Sequence, residues 1–380
     1  MHLYSPKSLS PKQYILFDDS ERIAVLPTDF IRHLSGPPRN RADGTLALYA
    51  VRLRDFCAFL EGHPAYGQIR VDDAIRAVGF PAIDEFYRSC QAKGFGESTM
   101  RGYEVVVKSF TDWLVTESAG RAREHALYDN ERYRTPAPSR RMARYLTLEQ
   151  VTTLILGMHW ESQRLITHFI YDTAVRVSEV PRVLKSDMPK VEDYPANQMY
   201  FPLLVRGSKG RGKQIKERFT LISRAMLVRM HRYFNSRQYS KNCAWPEEQK
   251  PAFLNTYGEP LKATAIQKFF SDALGRTDLS KGTPHLLRHG GAYSIMRSEH
   301  GNTLLDNLLI VQRCLGHAQI STTEIYTHIP APALQRIEEC QGVDSIRYRY
   351  EEAQQILERT FIPERKLPKA RRIGVPQCPQ

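Results

Sequence analysis

Residues 199–222 read "MYFPLLVRGSKGRGKQIKERFTLI". An extended apolar run, a turn of glycine and lysine, and a second extended run make this a polar hairpin. Elsewhere the apolar residues recur at steps of three and four, the period of helices that bury one face. The chain is therefore expected to be mostly α with a small antiparallel sheet.

N-terminal to the hairpin, Leu46, Tyr49, Leu53, Phe56 and Leu60 mark one amphipathic helix, and Met100, Tyr103, Val107, Phe110 and Leu114 mark another. Arg101 and Lys108 project from the other faces of the second helix. The stretch "VDDAIRAVGFPAIDEFYRSCQAKG" reads as two shorter helices broken at 79–81. Residues 41–118 thus form an all-α domain. Residues 1–40 hold no long periodic segment and close on "SGPPRNRADGT", an extension whose role the sequence does not reveal. From Ser118 to Arg144 there are seven arginines, two prolines and no sustained apolar period. That is a basic linker, 119–141, whose arginines, Arg140 and Arg141 among them, are suited to lie against phosphates.

Order returns at "LTLEQVTTLI", where Thr147 and Gln150 form a capping box ahead of an apolar run. A second domain is placed at 142–340, with helices at 147–158 and 161–173, then the hairpin, then helices at 223–236, 262–275, 285–299, 304–315 and 320–328. Residues 341–380 read as a helix and a basic tail, a segment able to supply a contact to another subunit.

At 380 residues there is room for about two or three domains, each with its own core. No run of about 20 apolar residues predicts a membrane span, and the start lacks the apolar region of a secretory signal. Six scattered cysteines without a C-x-x-C pair suit a reducing compartment and give no disulfide or zinc framework. The protein reads as cytoplasmic. A surplus of 54 Lys+Arg over 41 Asp+Glu, +13 in all, favours a polyanionic partner.

Four segments carry chemistry. "YDTAVRVSEVPRVLKSDM" puts Arg176 and Glu179 three apart at a helix start, and "RGSKGRGK" offers lysines on a turn. "TPHLLRHGGAYS" gathers His285, Arg288 and His289, and "LGHAQISTTEIYTHI" sets His317 nine residues before Tyr326. Arginines give bidentate, permanently charged contacts to phosphate oxygens. Histidine moves protons near neutral pH, and a tyrosine hydroxyl attacks once its target is neutralised by cations. A lysine on a turn protonates a leaving alkoxide when other cations lower its pKa. Such a set can cleave a phosphodiester with arginines in place of a metal. Taken singly, each segment has a plainer explanation. A lone arginine or tyrosine is usually structural, and "KGRGK" alone is a solvated turn. His285 and His289, at i and i+4, have the spacing of two zinc ligands, but no cysteine or carboxylate completes a site in that stretch.

In this order the segments resemble the tyrosine site-specific recombinases, the phage-integrase and Xer-like family, over residues 45–340. "VRVSEV" resembles the family's first-arginine box, "TPHLLRH" its H-x-x-R-H box, and "LGHAQISTTEIYTH" its histidine and nucleophile box. The resemblance implies a two-domain DNA clamp, with an all-α core-binding domain before the catalytic one. It implies Arg176 and Arg288 as phosphate-clamping arginines, and His285 as a proton-transfer residue. His317 would donate to a non-bridging oxygen, and Tyr326 would be the nucleophile. Glu179 and His289 would orient neighbouring basic side chains. Lys209 best fits the general acid, with Lys213 as alternative and DNA contact, and Lys216 belongs with the returning strand. The implied partners are duplex DNA at a specific site and a homotetramer on two sites, with room for an accessory protein, in a prokaryotic nucleoid. No cofactor or metal is implied. A type IB topoisomerase, a telomere resolvase and a DNA-binding regulator without cleavage are the competing readings.

Overall fold

The computed structural model describes all residues except 7–12, 129–132, 139–143, 208–215, 241–244, 280–281, 298–303, 318–322, 324–344 and 364–380. After residue 141 the chain passes from one compact unit to a second.

In the first unit β1 (His2–Tyr4) and β2 (Ile15–Phe17) pair antiparallel and lead into α1 (Val25–Ser35). There follow α2 (Asp43–Gly62), α3 (Val71–Ala77), α4 (Phe80–Ala92) and α5 (Glu97–Leu114). The apolar stripes of α2 and α5 point into one core, with Leu53, Phe56, Val107 and Phe110 wholly buried. Aromatic rings meet there: Phe30 lies 5.2 Å from Phe110, and Phe56 lies 5.2 Å edge-on from Phe86. Phe30 belongs to α1, within the segment where the sequence showed no periodic element. Leu26, Phe30 and Leu34 are buried at steps of four. Eleven residues between turn-rich flanks hold too few repeats for periodicity to stand out.

The basic stretch after α5 is anchored to the same unit rather than hanging free from residue 119. Leu127 and Tyr128 are buried in its core, and the Tyr128 hydroxyl meets that of Tyr87 at 3.1 Å. Arg123 Nη1 donates to the carbonyls of Ile75, Arg76 and Val78, each at 2.9 Å, closing the C-terminus of α3. Arg134 makes a forked pair with Asp84 at 3.1 and 2.9 Å. The carboxylate of Glu104, fully buried in α5, accepts from the Thr135 amide at 2.8 Å, the Thr135 hydroxyl at 2.5 Å and the Arg134 amide.

In the second unit the Thr147–Gln150 capping box opens α6 (Leu148–Leu156), and α7 (Glu161–Thr173) follows. The hairpin is β3 (Tyr200–Arg206) against β4 (Glu217–Ser223), in the register Phe201↔Ile222, Leu203↔Thr220, Val205↔Arg218. Those pairs share the core-facing side; Phe219, one residue off, is exposed. Then come α8 (Arg224–Phe234), α9 (Arg237–Ser240), α10 (Ala263–Leu274), α11 (His285–Arg297), α12 (Leu304–Leu315) and α13 (Ser345–Thr360). The helix expected at 320–328 lies outside the described residues, Thr323 excepted. Helix α13 packs on its own unit. Ile356 enters the core, Arg349 donates to the Asp172 carbonyl at 2.8 Å, and Ser294 donates to Glu352 at 3.0 Å.

Helix α11 lies close against α7 because residues 290 and 291 are glycine. A β-carbon at Gly291 would stand 2.2 Å from the Tyr171 carbonyl oxygen, and one at Gly290 would stand 2.7 Å from the Tyr171 ring. No alanine fits without separating the helices. Among the described residues no helix is long and apolar enough to cross a membrane.

The Glu104 anchor sets an expectation for stability. Glu104→Ala leaves the buried Thr135 donors and the Arg134 amide without their acceptor, a loss of roughly 2–4 kcal/mol. Urea unfolding of a Trp160→Phe, Trp245→Phe chain, in which Trp113 reports on this unit, measures it. A loss below about 0.5 kcal/mol would mean the segment is not held there.

Candidate active site

Helix α7 stops where Ala174 takes a left-handed conformation, φ 53°, and the chain turns into Arg176. Glu179 bonds back through its amide to the Arg176 carbonyl at 2.8 Å. Where the sequence suggested a helix start, only a single 3₁₀ turn forms, Val180–Arg182. The chain then leaves it extended, so that Leu184 bridges to Pro251. Within this turn the Glu179 carboxylate is fully buried and serves two arginines. It accepts from the Arg176 amide at 2.8 Å and Arg176 Nη1 at 3.0 Å, and from Arg218 Nη1 and Nη2 at 2.8 and 2.7 Å. Burial pushes its pKa up, but hydrogen bonds and charge from Arg218 and Arg176 outweigh that and hold it below the usual carboxylate range.

Arg288 sits on the first turns of α11, just ahead of the glycine pair, and is almost wholly buried. Its Nη1 donates to the Ala174 carbonyl and its Nη2 to the Leu315 carbonyl, both at 2.7 Å. One guanidinium therefore joins the turn before Arg176 to the end of α12, two residues before His317. The chain reaches His317 through Gly316, whose φ of +65° favours glycine. The His317 amide caps α12 by donating to the Gln312 carbonyl at 3.1 Å, and its Nδ1 lies 2.9 Å from the Thr323 hydroxyl. Burial first, then Arg288, Arg176 and Arg218, lower the His317 pKa to about 4. His289 is lowered to about 4 as well, by burial and then by His285, Arg288 and His317. The rings of His285 and His289 meet edge to face, centroids 4.4 Å apart, with His285 the exposed member.

Arg176, Glu179, Arg288, His317, His285 and His289 are thus brought into one electrostatic neighbourhood. Tyr326, Lys209, Lys213, Arg140 and Arg141 lie outside the described residues. Lys216 is described: its carbonyl accepts from the Gly207 amide at 2.8 Å, closing the hairpin just before β4. On α5, Arg101 donates to the Thr135 carbonyl at 2.8 Å and lies 3.8 Å over the Tyr133 ring, while Lys108 pairs with Asp112 at 3.1 Å. Both are engaged within the helical unit. Tyr293, an alternative attacking hydroxyl on chemical type alone, is buried in the core against Tyr145 at 4.7 Å, which is no place for a nucleophile. Two participants escaped the sequence reading. Thr323 needed the fold to find it. Arg218 left a signal, an arginine on the strand register otherwise filled by Thr220 and Ile222.

Comparison with known proteins converges on the same segments. The sequence model of the phage integrase family matches residues 144–331. A tyrosine recombinase XerC of Roseiflexus castenholzii is 27% identical over 311 residues, covering 79% of this chain and 87% of that relative. Among solved structures, a lambda integrase (75-356) dimer bound to a COC′ core site superposes with TM-score 0.58 at 15% identity, over 80% of this chain and 94% of that one. The XerH site-specific recombinase bound to its difH substrate gives TM-score 0.53 at 19% identity, over 80% and 81%. At such identities the structures show a common fold. With the family match across the arginine, hairpin and histidine segments, the chain belongs to the phage integrase family of tyrosine recombinases, enzymes that break and rejoin DNA strands.

Proposed function

We propose that the protein is a site-specific DNA recombinase that cuts and rejoins duplex DNA through a 3′-phosphotyrosyl intermediate, without metal or ATP. The observation that carries this reading is the convergence of Arg176, Arg288 and His317 on one polar site, joined by Glu179 and by the Arg288 staple. Tyr326 attacks a DNA phosphorus in line, and the 5′-oxygen leaves with a proton from Lys209. Arg176 and Arg288 offset the charge on the non-bridging oxygens. His285 assists proton transfer. A 5′-hydroxyl from a partner strand later attacks the phosphotyrosine and releases Tyr326, so the bond energy is conserved.

The state of His317 fits this role. A neutral imidazole carries one N–H; with Nδ1 accepting from the Thr323 hydroxyl, 2.9 Å away, that hydrogen would lie on Nε2. His317 then donates to a phosphate oxygen without needing a proton from solvent. On this reading two protomers hold each site and four assemble on two sites, with the basic tail that follows α13 as the contact between neighbours. Phosphate contacts from Arg140, Arg141 and Lys213 add to the affinity. The enzyme then works in the cytoplasm, on the nucleoid of a prokaryote.

Three outcomes test the reading. Incubation with supercoiled plasmid should give denaturant-resistant protein–DNA adducts in excess EDTA, and recombinants once the plasmid carries two copies of the attached sequence. Tyr326→Phe should bind DNA and form no adduct. An adduct that needs magnesium, or that survives in Tyr326→Phe, overturns the mechanism; relaxation without recombinants favours a topoisomerase, and hairpin ends a resolvase.

Lys209→Ala should slow cleavage about 10²–10⁴-fold on ordinary DNA and approach the wild-type rate on a bridging 5′-phosphorothiolate, whose thiolate leaves unaided. The same rescue in Lys213→Ala, with Lys209→Ala normal, moves the acid along the turn.

The histidines also predict a pH response of the free protein. The unfolded chain holds each imidazole proton at about 6.5, the folded chain only near 4 for His289 and His317. Between those values acid protonates the unfolded chain preferentially, so the contribution to stability is complete above pH 6.5 and is lost as pH falls toward 4. Melting temperatures should drop from pH 7 to pH 5, and His289→Gln with His317→Gln should flatten the slope; an unchanged slope rejects the assignment.

A further inference from the structure

The hairpin register sets Arg218 where an apolar residue belongs. It pairs with Val205 on the side of β4 that also carries Thr220 and Ile222, and its side chain is only 11% exposed. A guanidinium in such a place costs solvation free energy unless its donors are satisfied. Here both Nη atoms fork onto the Glu179 carboxylate at 2.8 and 2.7 Å, and Nε donates to the Cys314 carbonyl at 2.8 Å. The aliphatic stem lies under the next turn, where a β-carbon on Gly316 would stand 2.7 Å from Arg218 Cδ. Arg218 thereby touches both halves of the site. Through Glu179 it reaches Arg176, whose Nη1 shares the same carboxylate at 3.0 Å. Through Cys314 and Gly316 it reaches the turn that delivers His317.

We propose that Arg218 is a positioning residue for phosphodiester cleavage, holding Arg176 by way of Glu179 and His317 by way of the Cys314–Gly316 turn in one fixed geometry. The proposal rests on the cleavage reading above. Arg218 does not itself touch the phosphate: its two terminal nitrogens are aimed at Glu179, and Arg176, on the same carboxylate, is the more exposed at 26%. Rate depends on such placement, because a displacement of about 1 Å in a group that stabilises the transition state costs on the order of 10²-fold. Ground-state affinity for DNA, spread over many phosphate contacts, depends on it little.

The test uses the full-length chain and a nicked oligonucleotide duplex bearing the sequence to which the wild-type protein attaches on plasmid DNA. Adduct formation is followed at saturating protein, and half-saturation is measured separately. If the wild-type protein forms no adduct, the cleavage reading falls and this proposal with it. Given a wild-type adduct, Arg218→Ala should slow its formation about 10²-fold while half-saturation moves less than about threefold. In an Arg176→Ala background the same change should slow it about tenfold or less, because the part that runs through Arg176 is already lost and only the part that runs through His317 remains. Defects that multiply in the double variant would make Arg218 independent of Arg176 and overturn the proposal, as would a loss confined to half-saturation. Should Arg218→Ala fail to fold, judged by its melting curve, Arg218→Lys decides. One ammonium keeps a cation beside Glu179 but cannot span both oxygens and the Cys314 carbonyl. An intermediate rate, about tenfold down at unchanged half-saturation, supports positioning, and a wild-type rate overturns it.

Discussion

A buried carboxylate shared by two arginines is the interaction on which the site depends. Glu179 has no exposure to water and accepts four hydrogen bonds, two from Arg176 and two from Arg218. An isolated carboxylate would not stay ionised in that position, because burial alone raises its pKa; the guanidiniums reverse the sign. The dependence runs both ways. Without Glu179, Arg176 and Arg218 would repel each other at short range, and Arg218 would be a buried cation on a strand face meant for apolar side chains. Removing either partner of such a set costs more than the pair contributes, which is why the three side chains act as a unit.

The second constraint is a distance between helices. Glycine at 290 and 291 lets α11 approach α7 until the Tyr171 backbone and ring fill the place of a side chain. Two glycines inside a helix cost about 1 kcal/mol each relative to alanine, so helix propensity does not explain them. What they permit is the reach of Arg288. From the adjoining turn it spans two chain segments and bonds one carbonyl on each, Ala174 and Leu315. The left-handed turn at Ala174 presents one of these oxygens, and the end of α12 presents the other. Arg288 thus ties the Arg176 turn to the His317 turn on one side, as Arg218 does on the other.

Much of this was legible before any coordinates. Long amphipathic helices announce themselves by period, so α2 and α5 fall where the apolar residues recur, and the capping box at Thr147 closes as its spacing requires. Local pattern fails where burial is decided by distant partners. Helix α1 is short and takes its meaning from Phe110 and Trp113, far along the chain. The basic segment after α5 looks solvated because its arginines outnumber its apolar residues. Yet Leu127 and Tyr128 bury themselves, and Arg123 and Arg134 are spent on carbonyls and on Asp84. In the site, Arg176, Glu179, Arg288 and His317 stand in compact motifs that sequence displays directly. Arg218 was hidden in plain view: the alternation in "ERFTLIS" puts it on the buried side, but charge invites the assumption of exposure. Thr323 carries no such mark, since its partnership with His317 Nδ1 exists only in three dimensions.

Charge balance ties these elements to the proposed chemistry. Arg176, Arg218 and Arg288 bring three positive charges around the buried Glu179 carboxylate, so these four groups together carry an excess of positive charge. Two unit charges 4 Å apart near a protein surface interact by about 4 kcal/mol, so the excess weighs on any further cation. Burial first, and then that excess, lower the pKa of His317 and His289 to about 4, so both stay neutral well below physiological pH. A phosphodiester arriving with one negative charge relieves part of that excess. A pentacoordinate phosphorus with additional negative charge relieves more, so the same fixed cations favour the transition state over bound substrate. The preference survives only if the cations cannot follow the substrate by relaxing. In the proposed mechanism that is the physical use of fixing Arg176 to a buried carboxylate and Arg288 to two backbone carbonyls: the rigidity is built during folding, and no reorganisation would remain when the phosphate reacts.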